Sequence, residues 1–568
     1  MKTVFPKRRV LIYLVLLGSA IGFLLVLQYS ENSGDGLKTN NAVVVRDVNV
    51  RKAMEEPRPK LGDVIVQSED FVDEKEEKKE SLEVIDDPVK KEENHETREM
   101  DVMKEVIQAP DDEDAEKRDK IREMMKFAWE GYKNYSWGAN ELSPISKTAH
   151  TQSIFGGSAM AATIVDGADT LYIMGLTKEY EEAKKFMEEF WSINKATGQL
   201  SVFETTIRFV GGFLALYGLT GEEIYKKHAK ETADVLLPAF DTNTGIAKSL
   251  INPGSKSASN YNWARDESIL AEFGSLHLEF EYLTQITGNP IYLEKVKKIR
   301  DFLDKADKPN GLYPTYLNPN TGKFGNTHIS LGALGDSFYE YLIKSYLLTN
   351  KTDEQALRMH TEASEAIQEH MIFTSKSGLR YIAELRGNNP EHKMGHLACF
   401  TPGMFALESH NEKNEERKSK LMQLAEDLAN TCHESYIRSE SKIGPEMFYF
   451  SGRDDATSSG GEKGYILRPE VLEGFFYLWR LTGNQKYKTW VWEGISAIDK
   501  YCRQGAGFAG LRNVYDPSSG FDDNQQSFFL AETLKYAYLT FDNENIPLDK
   551  YVFNTEAHPF PIYQPTVL

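Results

Sequence analysis

A short phrase recurs along this chain and limits its fold more than any other feature: a leucine-rich or aromatic helix end followed by Leu-Thr-Gly or a close relative. It stands at Leu176-Thr177-Lys178, Leu219-Thr220-Gly221, Ile286-Thr287-Gly288, Leu348-Thr349-Asn350, Leu481-Thr482-Gly483 and Leu539-Thr540. Glycine or asparagine after a helix suits the left-handed cap conformation, and threonine is a poor helix former, so each phrase marks a turn between helices. The intervals are roughly 43, 67, 62, 133 and 58 residues, and the long one has room for a degenerate copy near 407–411. This spacing predicts about seven helical hairpins and an all-α domain. Repetition alone leaves open whether the hairpins stack as an open solenoid or close into a ring. Gly-, Pro- and Asn-rich stretches at 252–262, 310–326 and 505–521 leave room for long functional loops.

Two N-terminal segments lie outside the repeat. Residues 10–27 carry no charge, follow Lys2, Lys7, Arg8 and Arg9, and precede Glu31 and Asp35. The run is long for a secretory h-region and near the lower limit for a bilayer span. Large residues at Leu27, Gln28 and Tyr29 offer no cleavage site, which favours a signal-anchor over a cleaved signal peptide. The basic flank keeps residues 1–9 cytosolic and sends the remainder into the lumen. Between Tyr29 and Phe127 the only aromatic residue is Phe71, and the runs 73–80 and 111–119 are almost wholly charged. Such a stretch buries too little apolar surface to offset its ordering entropy, so 28–120 reads as a largely disordered stem and 121–568 as the folded domain. With 66 Lys and Arg against 86 Asp and Glu, a net charge of −20, a nucleic-acid partner is disfavoured. Three cysteines exclude a disulfide-built miniature scaffold.

Several acids sit inside apolar helical phrases. Glu204 has Arg208 one turn on in Ser201-Val-Phe-Glu-Thr-Thr-Ile-Arg208, and Asp336 and Glu340 are spaced i, i+4 in Leu334-Gly-Asp-Ser-Phe-Tyr-Glu-Tyr-Leu342. Arg468, Glu470 and Glu473 fall together, while Glu272 and Glu532 sit among Ile269 to Leu276 and Phe528 to Leu534. One reading is a set of salt-bridged helical acids. The other is a carbohydrate-cleaving pocket, which needs one carboxyl to protonate a leaving oxygen and another to activate water.

The longer motifs decide between them. Thr163-Ile-Val-Asp166 with Asp169-Thr-Leu-Tyr-Ile-Met-Gly-Leu176, Phe203-Glu-Thr-Thr-Ile-Arg-Phe-Val-Gly-Gly212, Ile269-Leu-Ala-Glu-Phe-Gly274, Gly335-Asp-Ser-Phe-Tyr-Glu-Tyr341, His396-Leu-Ala-Cys-Phe400, Gly444-Pro-Glu446, Leu467-Arg-Pro-Glu470 and Phe553-Asn-Thr-Glu-Ala-His558 resemble the class I α-1,2-mannosidases, glycoside hydrolase family 47, and in particular its Golgi branch. The resemblance implies a closed barrel of seven helical hairpins, an (α/α)7 fold. It also implies an inverting, calcium-dependent exo-mannosidase that trims high-mannose N-glycans in the Golgi lumen from nine mannoses towards five.

Carried over by motif, Glu204 is the general acid, acting through water, Glu470 the base, and Asp336 the third catalytic carboxylate. Thr555 matches the family's calcium ligand, with Glu556 acting through water, a water-rich oxygen shell of the kind calcium accepts. Arg208, Glu272, Leu334, Glu340, Glu446, Arg468, Glu473 and Glu532 would hold sugar or water. Leu334 stands where the single-mannose ER branch has arginine, which implies that several glycan branches are admitted. Cys399 and Cys432 match a family disulfide closing about 33 residues, worth ~3 to 4 kcal/mol in the chain-entropy model. Cys502 is left as a buried thiol, and Asn134 and Asn350 begin N-glycosylation sequons. One departure stands out: Arg265-Asp-Glu267 replaces a small Gly/Ser-rich loop. A catalytically weak, lectin-like homologue is the competing functional reading.

Overall fold

Residues 112–151 and 154–565 are described in the computed structural model. Helices dominate, in two kinds that alternate along the chain. The first kind is buried nearly all round: α2 (Ala162–Ile173), α4 (Val202–Thr220), α6 (His277–Thr287), α8 (Asp336–Leu348), α10 (Thr401–Asn411), α12 (Glu470–Thr482) and α14 (Leu534–Thr540). The second kind buries one stripe only. It comprises α1 (Asp112–Ser136), α3 (Thr177–Glu189), α5 (Glu223–Leu236), α7 (Ile291–Lys305), α9 (Glu354–His370), α11 (Glu415–Ile437) and α13 (Gln485–Cys502). In α5 the buried set is Tyr225, His228, Ala229, Thr232, Ala233 and Leu236, the three-and-four spacing of a helix with one face on a core.

Each buried helix has one striped helix as its main partner of that kind: α2 on α3, α4 on α5, α6 on α7, α8 on α9, α10 on α11, α12 on α13, and α14 on α1. The buried helices also contact one another in chain order, and the segment Phe529–Thr533 leading into α14 packs back on α2. The packing order therefore closes into a ring, the point that repetition left open. Val202–Thr220 is apolar and long enough to cross a bilayer, but it is largely buried as one wall of this ring.

The repeated turn phrase has a double cause. Gly221, Gly288 and Gly483 are left-handed, and each N–H donates to a carbonyl four residues back. The threonine before each glycine does more than stop the helix. The hydroxyls of Thr220, Thr287 and Thr482 donate to the carbonyls of Leu216, Leu283 and Leu478. The same oxygens accept the N–H groups of Glu222, Asn289 and Asn484 beyond the turn. Asn350 occupies the glycine position with φ 49°.

The expected cytosolic tail and membrane span, and the stem up to residue 111, lie outside the described residues. The expected domain boundary at 120 falls within α1, so the charged stretch from 112 belongs to the fold. Composition misled there because the partners are remote: Arg118 donates to the Phe541 carbonyl, and Lys488 pairs with Asp114. Cys399 and Cys432 form the expected disulfide, joining the turn before α10 to α11, and Cys502 is a buried free thiol.

A C-terminal hairpin, Tyr551–Phe553 paired antiparallel with Pro559–Pro561, sets its turn among the buried helices. Asn554 Nδ2 donates to Ile207 O of α4 at 2.9 Å, Thr555 N to Tyr341 Oη of α8 at 3.3 Å, and Lys535 Nζ of α14 to Ala557 O at 2.6 Å. Helix α4 admits this turn through a wide π-type segment, Thr205–Val210, followed by Gly211. A Cβ on Gly211 would stand 2.5 Å from Asn554 Nδ2.

Candidate active site

The buried elements bring carboxylates to their first residues. Asp336 opens α8, Glu470 opens α12, and Glu204 lies in the first turn of α4. Glu272 sits in the short helical turn Leu270–Gly274, and Glu532 lies in the wide segment before α14. A helix N-terminus favours negative charge there. All five line one cavity of about 270 Å³, together with Thr555 and Glu556 from the C-terminal hairpin. Arg208, Leu334 and Arg468 complete its polar and rim surface, and Phe203, Leu397 and Phe528 its apolar wall.

Two arginines, Arg208 buried and Arg468 half-buried, organise these acids. Arg208 Nε donates to Glu204 Oε2 at 2.8 Å, and its Nη1 reaches Glu556 Oε1 at 2.6 Å, Ser527 Oγ at 3.0 Å and Asp166 Oδ2 at 3.4 Å. Asp166 and Asp169 then share His558, at 3.1 and 2.9 Å, and Asp169 pairs with Lys535 at 2.7 Å. This charge chain ties the Glu204 wall to the hairpin turn. Arg468 Nε donates to Glu446 Oε2 at 2.7 Å.

Glu470 and Asp336 have opposite surroundings. His396 Nδ1 lies 2.8 Å from Glu470 Oε2, and His396 Nε2 lies 2.7 Å from Tyr436 Oη. A carboxylate only accepts, so Nδ1 donates to Glu470. Burial would raise the Glu470 carboxyl, but the His396 hydrogen bond and the Arg468 charge outweigh it and hold the group below its ordinary range. Asp336 is pushed up to about 7 by burial, with the Glu470 and Glu340 charges adding to it. Glu272 is pushed up to about 8 by burial and the nearby Glu204 charge. Burial and neighbouring carboxylates likewise raise Glu532 and Glu556 well above the usual range.

The backbone entering α8 and α12 is constrained. Leu334, two residues before Asp336, and Leu467, three before Glu470, hold φ at 77° and 70°. Left-handed leucine carries strain that the surrounding packing must hold, a feature common at functional sites. Arg265 and Asp266, in the loop that departs from the family's small-residue text, are also left-handed. Neither they nor Glu267 line the cavity.

The donor set fits a hard divalent cation. Six carboxylates face two guanidiniums around the cavity, Glu272 Oε2 is buried without a hydrogen-bond partner, and every candidate ligand, Thr555 included, offers oxygen. Thr555, with Glu556 beside it in the lining, could hold such a cation.

Of the residues expected from sequence, Glu204, Arg208, Glu272, Leu334, Asp336, Arg468, Glu470, Glu532, Thr555 and Glu556 line the cavity. Glu340, Glu446 and Glu473 do not. Glu446 grips Arg468, while Glu340 pairs with buried Lys344, whose Nζ is also 4.0 Å from Glu473. They act one layer back. Sequence reasoning assigned no role to His396, Lys344, Asp166, Ser527 or His558. Lys344 had a local signal, a lysine four residues after Glu340 in an apolar phrase. His396 had none, because its partner lies 74 residues away.

A ring of hairpins with paired carboxyls in unlike environments around one cavity is the architecture of a glycosidase. The profile of glycosyl hydrolase family 47 matches residues 124–562. The mannosyl-oligosaccharide 1,2-alpha-mannosidase mans-2 of Caenorhabditis elegans is 62% identical over 455 residues, 80% of this chain and 77% of the relative. The human mannosyl-oligosaccharide 1,2-alpha-mannosidase IB is 51% identical over 459 residues, 80% and 71% of the two chains. Among solved structures, the alpha-1,2-mannosidase from Trichoderma reesei superposes with a TM-score of 0.72 at 27% identity, covering 79% of this chain and 99% of its own. The chain belongs to glycosyl hydrolase family 47.

Proposed function

We propose that the protein is a calcium-dependent exo-α-1,2-mannosidase that trims high-mannose N-glycans with inversion, from nine mannoses towards five. The observation that carries this reading is the pair Glu470 and Asp336. His396 and Arg468 hold the first below its ordinary range, and burial pushes the second up to about 7, both lining one cavity. The activity printed for the relatives supplies the substrate class.

In the reaction, Glu470 accepts a proton from water as the water oxygen bonds the anomeric carbon. The anomeric carbon's bond to the leaving oxygen breaks, and that oxygen takes a proton from the acid side. Glu204 delivers it through water, steadied by Arg208. Asp336 is the second candidate donor, favoured by its raised carboxyl. Bound calcium would hold the sugar hydroxyls and polarise them. The seven helix pairs make up an (α/α)7 barrel, which we place in the Golgi lumen behind the N-terminal signal-anchor and stem.

Proton NMR of a nine-mannose glycan digested by the purified protein tests the reading. We expect β-mannose to appear first, and its release to stop on chelation and in Glu470→Gln. Glycan binding without release would instead favour a lectin-like homologue. α-Mannose appearing first would overturn inversion.

A further inference from the structure

The turn that presents Thr555 is templated by one amide. Asn554 Oδ1 accepts the N–H groups of Glu556 and His558 at 2.9 and 2.8 Å, which folds the chain around Thr555. An asparagine amide does this in only one of its two orientations. Its Nδ2 end faces Ile207 O at 2.9 Å and Glu279 Oε1 at 2.8 Å. Glu279, in the first turn of α6, is fully buried and lies outside the cavity lining. Its Oε1 also accepts the hydroxyl of Tyr341 at 2.8 Å, and that hydroxyl oxygen in turn accepts Thr555 N–H at 3.3 Å.

Oε1 accepts from both neighbours, and it does so whether or not the other carboxyl oxygen carries a proton, so it dictates both directions at once. It turns the amide of Asn554 so that Oδ1 faces the turn, and it takes the tyrosine proton so that Tyr341 is left as an acceptor for Thr555. We infer that Glu279 is a positioning residue for the cation: it fixes the Thr555 turn through Asn554 and Tyr341 without touching the cation or the sugar. The inference rests on Thr555 being the calcium ligand.

The test is calcium affinity, measured by isothermal titration calorimetry on metal-stripped protein, with far-UV circular dichroism to confirm folding. Glu279→Met removes the acceptor and keeps the bulk, and Tyr341→Phe cuts the link from the other side. Each should weaken calcium binding by about 10-fold or more, the usual size for a residue behind a metal ligand. Glu279→Gln can still accept at Oε1, and should bind close to the unsubstituted protein. Should the Met variant fail to fold, the Tyr341→Phe and Glu279→Gln pair decides. Unchanged affinity in the folded Met or Phe variants overturns the inference. A Gln variant as weak as the Met variant assigns the effect to charge and overturns positioning. No calcium binding by the unsubstituted protein overturns the calcium reading, and this inference with it.

Discussion

Glu470 and Asp336 are both buried carboxyls at the first residue of a helix, and their neighbours separate them. His396 and Arg468 keep one charged, while burial and the surrounding acids keep a proton on the other. Activity should therefore fall in acid as Glu470 protonates, and fall in base as Asp336 loses its proton through about pH 7. Replacing His396 with Phe keeps the ring and removes the hydrogen bond that favours the charged form of Glu470. The acid limb of the kcat/KM profile should move to higher pH, with kcat reduced by roughly 10- to 100-fold. An unmoved acid limb would take Glu470 out of the base role. The proton donor is settled by leaving group: its loss should spare an aryl mannoside, whose phenolate needs little protonation, far more than a disaccharide. Comparing Glu204→Gln with Asp336→Asn on the two substrates identifies the donor as the variant with the wider gap. The acids themselves were legible as charges in apolar phrases. Their states were not, because His396 meets Glu470 only when the α10 and α12 regions pack together.

The helical elements were legible for local reasons and the C-terminal hairpin was not. A Leu-Thr-Gly turn is complete within one short segment, since the threonine hydroxyl and the left-handed glycine satisfy groups at most four residues away. The hairpin turn owes its shape to Ile207, Glu279 and Tyr341, which are 347, 275 and 214 residues distant from their partners. Its insertion depends on the bare backbone of Gly211. Gly211→Ala should push against Asn554 and His558, destabilise the protein by about 1 to 3 kcal/mol and weaken calcium binding together. Thermal unfolding and calcium titration of the same sample check this. A loss of stability with unchanged calcium affinity would show that the turn relaxes elsewhere. The charged start of α1 was misread for the same reason as the hairpin: its contacts to Lys488 and Phe541 leave no local trace.

At the scale of the whole molecule, the ring concentrates acids that the fold alone does not stabilise. Glu272 and Asp336 bind protons to about pH 8 and 7 in the folded protein, against ordinary unfolded values near ~4. The folded state thus holds more protons than the unfolded state across that window, and stability present in acid is lost as pH rises through it. Glu532 and Glu556 are shifted in the same direction. A divalent cation relieves the same repulsion by displacing those protons, so its stabilising effect must grow as they leave. Melting temperatures with chelator should fall between pH 5 and pH 8, while those with excess calcium should fall less, so the gap between the two curves widens with pH. An equal gap at both pH values would mean that calcium binds away from these carboxylates. The acidic cavity would then need another source of compensation, with Arg208 and Arg468 already committed to Glu204, Glu556 and Glu446.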